Sequence, residues 1–258
     1  MKTLWSVVLV IVAMLAQALI GSAPALLLLG QANPLRQPLG ALGITLTALL
    51  LAYLIRRFLD RRPWAALGWR NPSHILLGVL AGAVPAVAAS GLSLAVGAST
   101  WVPVDVSLYA GLPLLAVVLL LNQAFPEELL WRGHLVDTLS VRLSPQAVVI
   151  ISSAGFGALH IFSQSDADTL AEKLFFVVMA TALGFACTAA RVRGGGLWMA
   201  VGVHWGFHLG MRVLPLQSVH FGVTLVLLTV TLALSGAILL RGRGSISPDP
   251  RVSNRVST

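Results

Sequence analysis

The sequence predicts an all-α protein: a polytopic bundle of about eight transmembrane helices with both termini in the cytoplasm. Three observations carry this reading. Apolar residues make up 57% of the 258 positions and charged residues only 10%, with a mean hydropathy of +0.88. Soluble domains carry about 25% charged residues, so most of this surface has to face lipid. The apolar residues fall in runs of spanning length, and the basic residues sort to one side of those runs.

The runs are placed near 4–22, 39–56, 75–97, 110–130, 146–163, 172–190, 196–213 and 219–240. Each is close to the roughly 20 residues that a bilayer crossing needs. The first run, ending in Gly21-Ser22-Ala23, resembles a signal peptide, but Pro24 directly after the small residues suits a cleavage site poorly. A retained first helix is expected. The second run stops at Arg56 and Arg57, the last at Arg241, and residues 242–258 read as a disordered basic tail. With an inside N-terminus, cytoplasmic segments hold 13 basic residues, from Lys2 through the Arg56–Arg70 linker, Arg142, Arg191 and Arg193 to the tail. External segments hold 3, namely Arg36, Lys173 and Arg212, beside the acids Asp105, Asp166, Asp168 and Glu172. That bias sets the orientation. The chain divides into N-terminal helices (1–109), a polar-bearing core (110–215), and a last helix with its tail (216–258).

A net charge of +8 and a pI near 11.2 would suggest nucleic acid in a soluble chain. Here the arginines meet lipid headgroups instead, and no nucleic-acid partner is expected. The single cysteine, Cys187, rules out an internal disulfide framework and is expected to lie outside the polar cluster. Compact size and arginine-rich usage favour a bacterial plasma membrane.

Ionisable groups inside spanning helices cost roughly 2.5–3.5 kcal/mol each and are functional candidates by default. The fourth run carries Phe125-Pro126-Glu127-Glu128-Leu129-Leu130-Trp131-Arg132. Glu128 and Arg132 are four apart in acid-first order and neutralise each other on one helix face. Glu127 lies about 100° further round and lacks that partner, so it is the candidate reactive carboxylate. The fifth run carries Phe156-Gly157-Ala158-Leu159-His160. Counted from the turn at Ser144-Pro145, unbroken helices set Glu127 and His160 at the same depth, roughly 25 Å away. The seventh run carries His204-Trp205-Gly206-Phe207-His208, with Gly202, Gly206 and Gly210 on a stripe that permits close helix approach. His74, His134 and His220 are expected at the interface. Glu127, His160, His204 and His208 together can move protons and polarise a carbonyl. No serine-nucleophile motif and no His-Glu-x-x-His is present.

These segments resemble the motifs of the CPBP family of CAAX prenyl-protein and bacteriocin-processing membrane endopeptidases. The family pattern is Glu-Glu-x-x-x-Arg, Phe-x-x-x-His and His-x-x-x-Asn/Asp. It meets Glu127-Glu128-x-x-x-Arg132, Phe156-x-x-x-His160 and His204-x-x-x-His208, with His208 departing from the usual Asn or Asp. The resemblance covers roughly 110–215. It implies hydrolysis of a peptide bond in a membrane-anchored substrate, prenylated or bacteriocin-like. Glu127 and His160 would activate water, and His204 and His208 would stabilise the oxyanion. Both metal-free and metalloprotease mechanisms are ascribed to the family. In the second, a divalent ion such as zinc would be held by Glu127, His160, His204 and His208, and the His-x-x-x-His spacing suits that. The competing classes are a non-catalytic immunity or scaffold protein of the same fold and a proton-coupled transporter.

Overall fold

A computed structural model describes residues 3–103 and 110–241. Lys2, Asp105 and the tail 242–258 lie outside the described residues. Eight helices follow in order: α1 (Thr3–Leu28), α2 (Arg36–Leu54, extended by a π turn Ile55–Leu59), α3 (His74–Ala95), α4 (Leu112–Ser140), α5 (Pro145–Leu159), α6 (Leu170–Gly194), α7 (Leu197–Gly210) and α8 (Phe221–Arg241). A short pair of strands, β1 (Ser99–Trp101) and β2 (Leu216–Ser218), joins antiparallel. Seven of the helices are long and apolar enough to cross a membrane. Large apolar side chains point outward along them, with Leu19 71%, Leu27 82% and Ile150 65% exposed. Such surfaces are stable only against lipid. The chain is therefore an integral, multi-pass membrane protein.

The exception is α7. The seventh apolar run was expected to cross on its own, yet its helix has 14 residues, about 21 Å at 1.5 Å per residue. It still links the two faces of the bundle, because residues 211–220 complete the distance. Its first residue donates to Gly68 O at 2.6 Å, while β2, just past its end, pairs with β1 beyond the end of α3. Hence α3 and α7 run parallel. Their backbones touch: a Cβ added at Gly78 would strike Met199 O, one at Gly82 would strike Val203 O, and one at Gly206 would strike Val79 O. Without a hydrophobic force between helices in lipid, this close approach is what holds such a pair.

The ends of the helices define two faces. Arg56 and Arg62 bond Asp137, joining the ends of α2 and α4, and Asn71 and His74 reach Gly194 O, joining the start of α3 to the end of α6. On the opposite face Lys173 binds Ser163 O, joining the end of α5 to the start of α6. Among the described residues the first face holds nine basic residues outside the helix-buried Arg132, namely Arg56, Arg57, Arg61, Arg62, Arg70, Arg142, Arg191, Arg193 and Arg241. The second face holds Arg36, Lys173 and Arg212. The positive-inside rule makes the first face cytoplasmic.

The long α4 is not the unbroken helix assumed from sequence. Pro126 has no N–H to give the carbonyl four residues back, and around it the helix widens into π turns at Leu120–Ala124 and Leu129–Leu135. In the first, Phe125 N donates to Leu120 O, and the released carbonyl of Leu121 accepts from Thr45 Oγ1 on α2. In the second, Val136 N donates to Trp131 O, and the released carbonyl of Arg132 accepts from Arg191 Nε on α6 at 3.0 Å. Each wide turn is thus held open by a neighbouring side chain. Ser144 caps α5, accepting from Ala147 N, with Pro145 in the first turn as the sequence indicated.

Two substitutions test these joints. Gly206→Leu should destabilise the protein on the order of 3 kcal/mol, read as a lowered melting temperature in detergent, because a side chain there meets Val79 backbone rather than space. Thr45→Val, which keeps shape and removes the donor to Leu121 O, should cost about 1 kcal/mol in the same assay.

Candidate active site

The polar residues of α4, α5 and α7 converge between the helices, with α6 behind them. Glu128 and Arg132 form the expected pair: Arg132 Nη1 donates to Glu128 Oε1 at 2.9 Å, and both side chains are fully buried. Arg132 is held on every side. Its Nη2 donates to Gly184 O at 2.7 Å, its Nε to Thr188 Oγ1 at 3.4 Å, and its guanidinium lies 4.5 Å over the Phe156 ring. A buried arginine so satisfied acts as a fixed charge rather than a mobile one.

The sequence reading missed the next link. His204 Nδ1 sits 2.9 Å from the same Glu128 Oε1, so one carboxylate oxygen serves both a guanidinium and an imidazole. This joins α7 to α4 through Glu128 rather than through Glu127. His208 stacks on His204, ring centroids 5.0 Å apart and planes at 25°, as the four-residue spacing required.

His160 falls at the C-terminal end of α5 and opens a short 3₁₀ turn, His160–Phe162. Its Nδ1 lies 2.8 Å from Phe156 O. A carbonyl can only accept, so Nδ1 carries the proton and Nε2 is left as the acceptor. Phe156 is the hub of the site: its ring lies 4.6 Å from His160, 5.8 Å from His204 and 5.8 Å from Trp131. No hydrogen bond or ion pair joins Glu127 to His160, whose ring packs on Phe156 instead. Glu127 is half-buried, and its Oε2 is enclosed with no hydrogen-bond partner. Glu128 Oε2 is likewise unpaired, but its sister oxygen carries two bonds.

Cys187, placed outside the cluster by the sequence reading, is inside it. Donor atoms of Glu128, Cys187 and His204 lie within 4.8 Å of one another, the one such grouping of three or more metal-type donors among the described residues. The correction has a simple cause. Cys187 lies three residues from Gly184 on a stretch of α6 without ionisable side chains, so no intramembrane charge marked that face. The set Glu127, His160, His204 and His208 does not converge in that way. His134, expected at the interface, is wholly buried with Nε2 3.3 Å from Asp60, because the Arg56–Leu67 linker folds over the end of α4. His74 and His220 lie at helix ends, with His74 against Gly194 O and His220 exposed.

The cluster therefore has a locked inner layer, Glu128, Arg132 and His204, and a half-buried outer layer, Glu127, His160 and His208. A carboxylate oxygen without a partner on α4, and imidazoles held through Nδ1 on α5 and α7, are groups suited to general acid–base work on a water.

No curated protein matches the chain. Residues 109–210 match the family described as Type II CAAX prenyl endopeptidase Rce1-like, a family of CAAX-type membrane proteases. That segment contains α4 to α7 and every residue of the cluster, and over it the chain is similar to the Rce1-like endopeptidases.

Proposed function

We propose that the chain hydrolyses a peptide bond of a membrane-anchored substrate, with Glu127 as general base and His160 as the second holder of the attacking water. The observation that carries this is the division of labour between adjacent carboxylates: Glu128 Oε1 is committed to Arg132 and His204, whereas Glu127 Oε2 is enclosed and unpaired. A water bonded to Glu127 and to His160 Nε2 attacks the carbonyl carbon as Glu127 takes its proton. The oxyanion so formed lies at the stacked rings of His204 and His208: His208 donates a ring N–H to it, and His204, its Nδ1–H given to Glu128, holds that ring in place. The C–N bond then breaks, and Glu127 returns the proton to the leaving amine. Arg132 performs no step; it fixes Glu128 and, through it, His204. A neutral His208 can donate one hydrogen bond, much as the family's Asn does. Prenylated and bacteriocin-like peptides are the substrate classes that the family description and the motif resemblance bring to this site.

A second reading is favoured by one observation, the convergence of Glu128, Cys187 and His204. A divalent ion held by these three residues would supply Lewis-acid polarisation of the scissile carbonyl. Against it stands Arg132, whose guanidinium already neutralises the same carboxylate oxygen at 2.9 Å.

Purified protein in detergent, given prenylated and bacteriocin-like peptides, should cleave at least one. Glu127→Gln and His160→Ala should each lower kcat by roughly 100- to 10,000-fold while leaving the melting temperature close to wild type. Full cleavage by Glu127→Gln would overturn the assignment. Chelator treatment separates the two mechanisms: activity should survive it, and Cys187→Ser should stay active. Loss of activity on chelation, restored by zinc and absent in Cys187→Ser, would instead establish the metal at Glu128, Cys187 and His204.

A further inference from the structure

Arg191 stands near the cytoplasmic end of α6, where the ordinary role of an arginine is to reach the lipid headgroups. Arg193, two residues on, is exposed and fits that role. Arg191 is only partly exposed, and its Nε turns inward to donate to Arg132 O at 3.0 Å.

That carbonyl is the one released by the second π turn of α4. In an unbroken α-helix Val136 N would donate to Arg132 O; here it donates to Trp131 O instead. Arg191 Nε therefore occupies the place of Val136 N, and with it the bond that would draw the turn back to α pitch. Gly184, Thr188 and Arg191 recur at i, i+4 and i+7 along one face of α6, and all three grip the same residue. The first two hold the Arg132 guanidinium, through Gly184 O at 2.7 Å and Thr188 Oγ1 at 3.4 Å, and the third holds its carbonyl. Arg132 is thus fixed by side chain and main chain together. Glu128 Oε1, bonded to Arg132 Nη1 and to His204 Nδ1, inherits that position.

The outer part of Arg191 is placed as closely. Its guanidinium lies over Gly68, in the linker between α2 and α3, where an added Cβ would come within 2.5 Å of Nη1 and 2.6 Å of Cζ. Gly68 has a left-handed φ of +90°, and its carbonyl accepts from Leu197 N at the start of α7. One linker glycine seats the arginine that holds α4 and also caps the helix that carries His204.

We infer that Arg191 is a positioning residue for the peptidase reaction: its Nε–H holds the winding of α4 that turns Glu128 to His204 and leaves Glu127 to the attacking water. The inference rests on the proteolytic reading above and adds to it a residue that touches neither substrate nor water. What the geometry uses is one donor at one atom, not the charge of the guanidinium.

Two variants isolate that donor. A glutamine side chain carries its amide nitrogen at the atom position of the arginine Nε, and methionine has the same reach with no donor; both delete the guanidinium. In detergent, with a peptide that the wild type cleaves, Arg191→Met should lower kcat by about tenfold or more with KM close to wild type, and Arg191→Gln should keep most of kcat. Equal loss in the two variants, an unchanged kcat in Arg191→Met, or a loss confined to KM overturns the inference. A double-mutant cycle on melting temperature needs no cleavage. Combined with His204→Leu, Arg191→Met should lose about 2 °C or more less than the sum of the two single losses, because the contact between Glu128 and His204 is already broken; Arg191→Gln with His204→Leu should be additive. The same result in both cycles overturns the inference. If the wild type cleaves no peptide, the proteolytic reading falls, and the cycle by itself decides whether Arg191 sets α4 against α7.

Discussion

One carboxylate oxygen organises the middle of this protein. Glu128 Oε1 accepts from Arg132 and stands 2.9 Å from His204 Nδ1, in a setting where water cannot compensate any of the three groups. Removing a partner from such a triad leaves an uncompensated charge, and that penalty is what makes the arrangement rigid. The triad also spans the bundle, since α4 brings the acid and the guanidinium, α7 the imidazole, and α6 the Gly184 carbonyl and Thr188 that anchor the arginine. Outside this fixed layer, the neighbouring Glu127 keeps one carboxylate oxygen without a hydrogen-bond partner.

The second constraint is steric. His204 reaches Glu128 only if α7 lies deep in the bundle, and α7 lies deep because α3 presents Gly78 and Gly82 to it while it presents Gly202 and Gly206 in return. Small residues do the same elsewhere, with Ala48, Ala52, Ala186 and Ala190 fully buried in the core. Depth also explains how a helix of 14 residues is tolerated: its polar ends are met by protein, with Gly68 O at the start and the β1–β2 pair just beyond the end.

Much of this was legible in the sequence. Composition and arginine placement yield the membrane bundle, its helix count and its orientation, because insertion energetics act directly on those quantities. The Glu128–Arg132 pair follows from helical spacing alone, and so does the stacking of His204 and His208. What escaped depends on contacts between segments remote in sequence. The partner of His204 could not be read from spacing, since either Glu127 or Glu128 faces α7 depending on how α4 is wound. Cys187 was overlooked because its stretch of α6 bears no charge. The depth match of Glu127 and His160 assumed a uniform α pitch, which Pro126 prevents.

The π turns of α4 have a bearing on how such a site can change. A π turn closes its hydrogen bond over one more residue than an α turn, so the stretches 120–124 and 129–135 hold extra chain that the two released carbonyls, bonded to Thr45 and Arg191, keep in place. Losing a single residue from either stretch would restore ordinary pitch and swing one end of α4 by about 100° relative to the other. The angular setting of Glu127 and Glu128 is therefore a matter of chain length as much as of residue type. Among relatives, short insertions and deletions between the helix start and the arginine would re-aim the carboxylates even where every motif residue is kept.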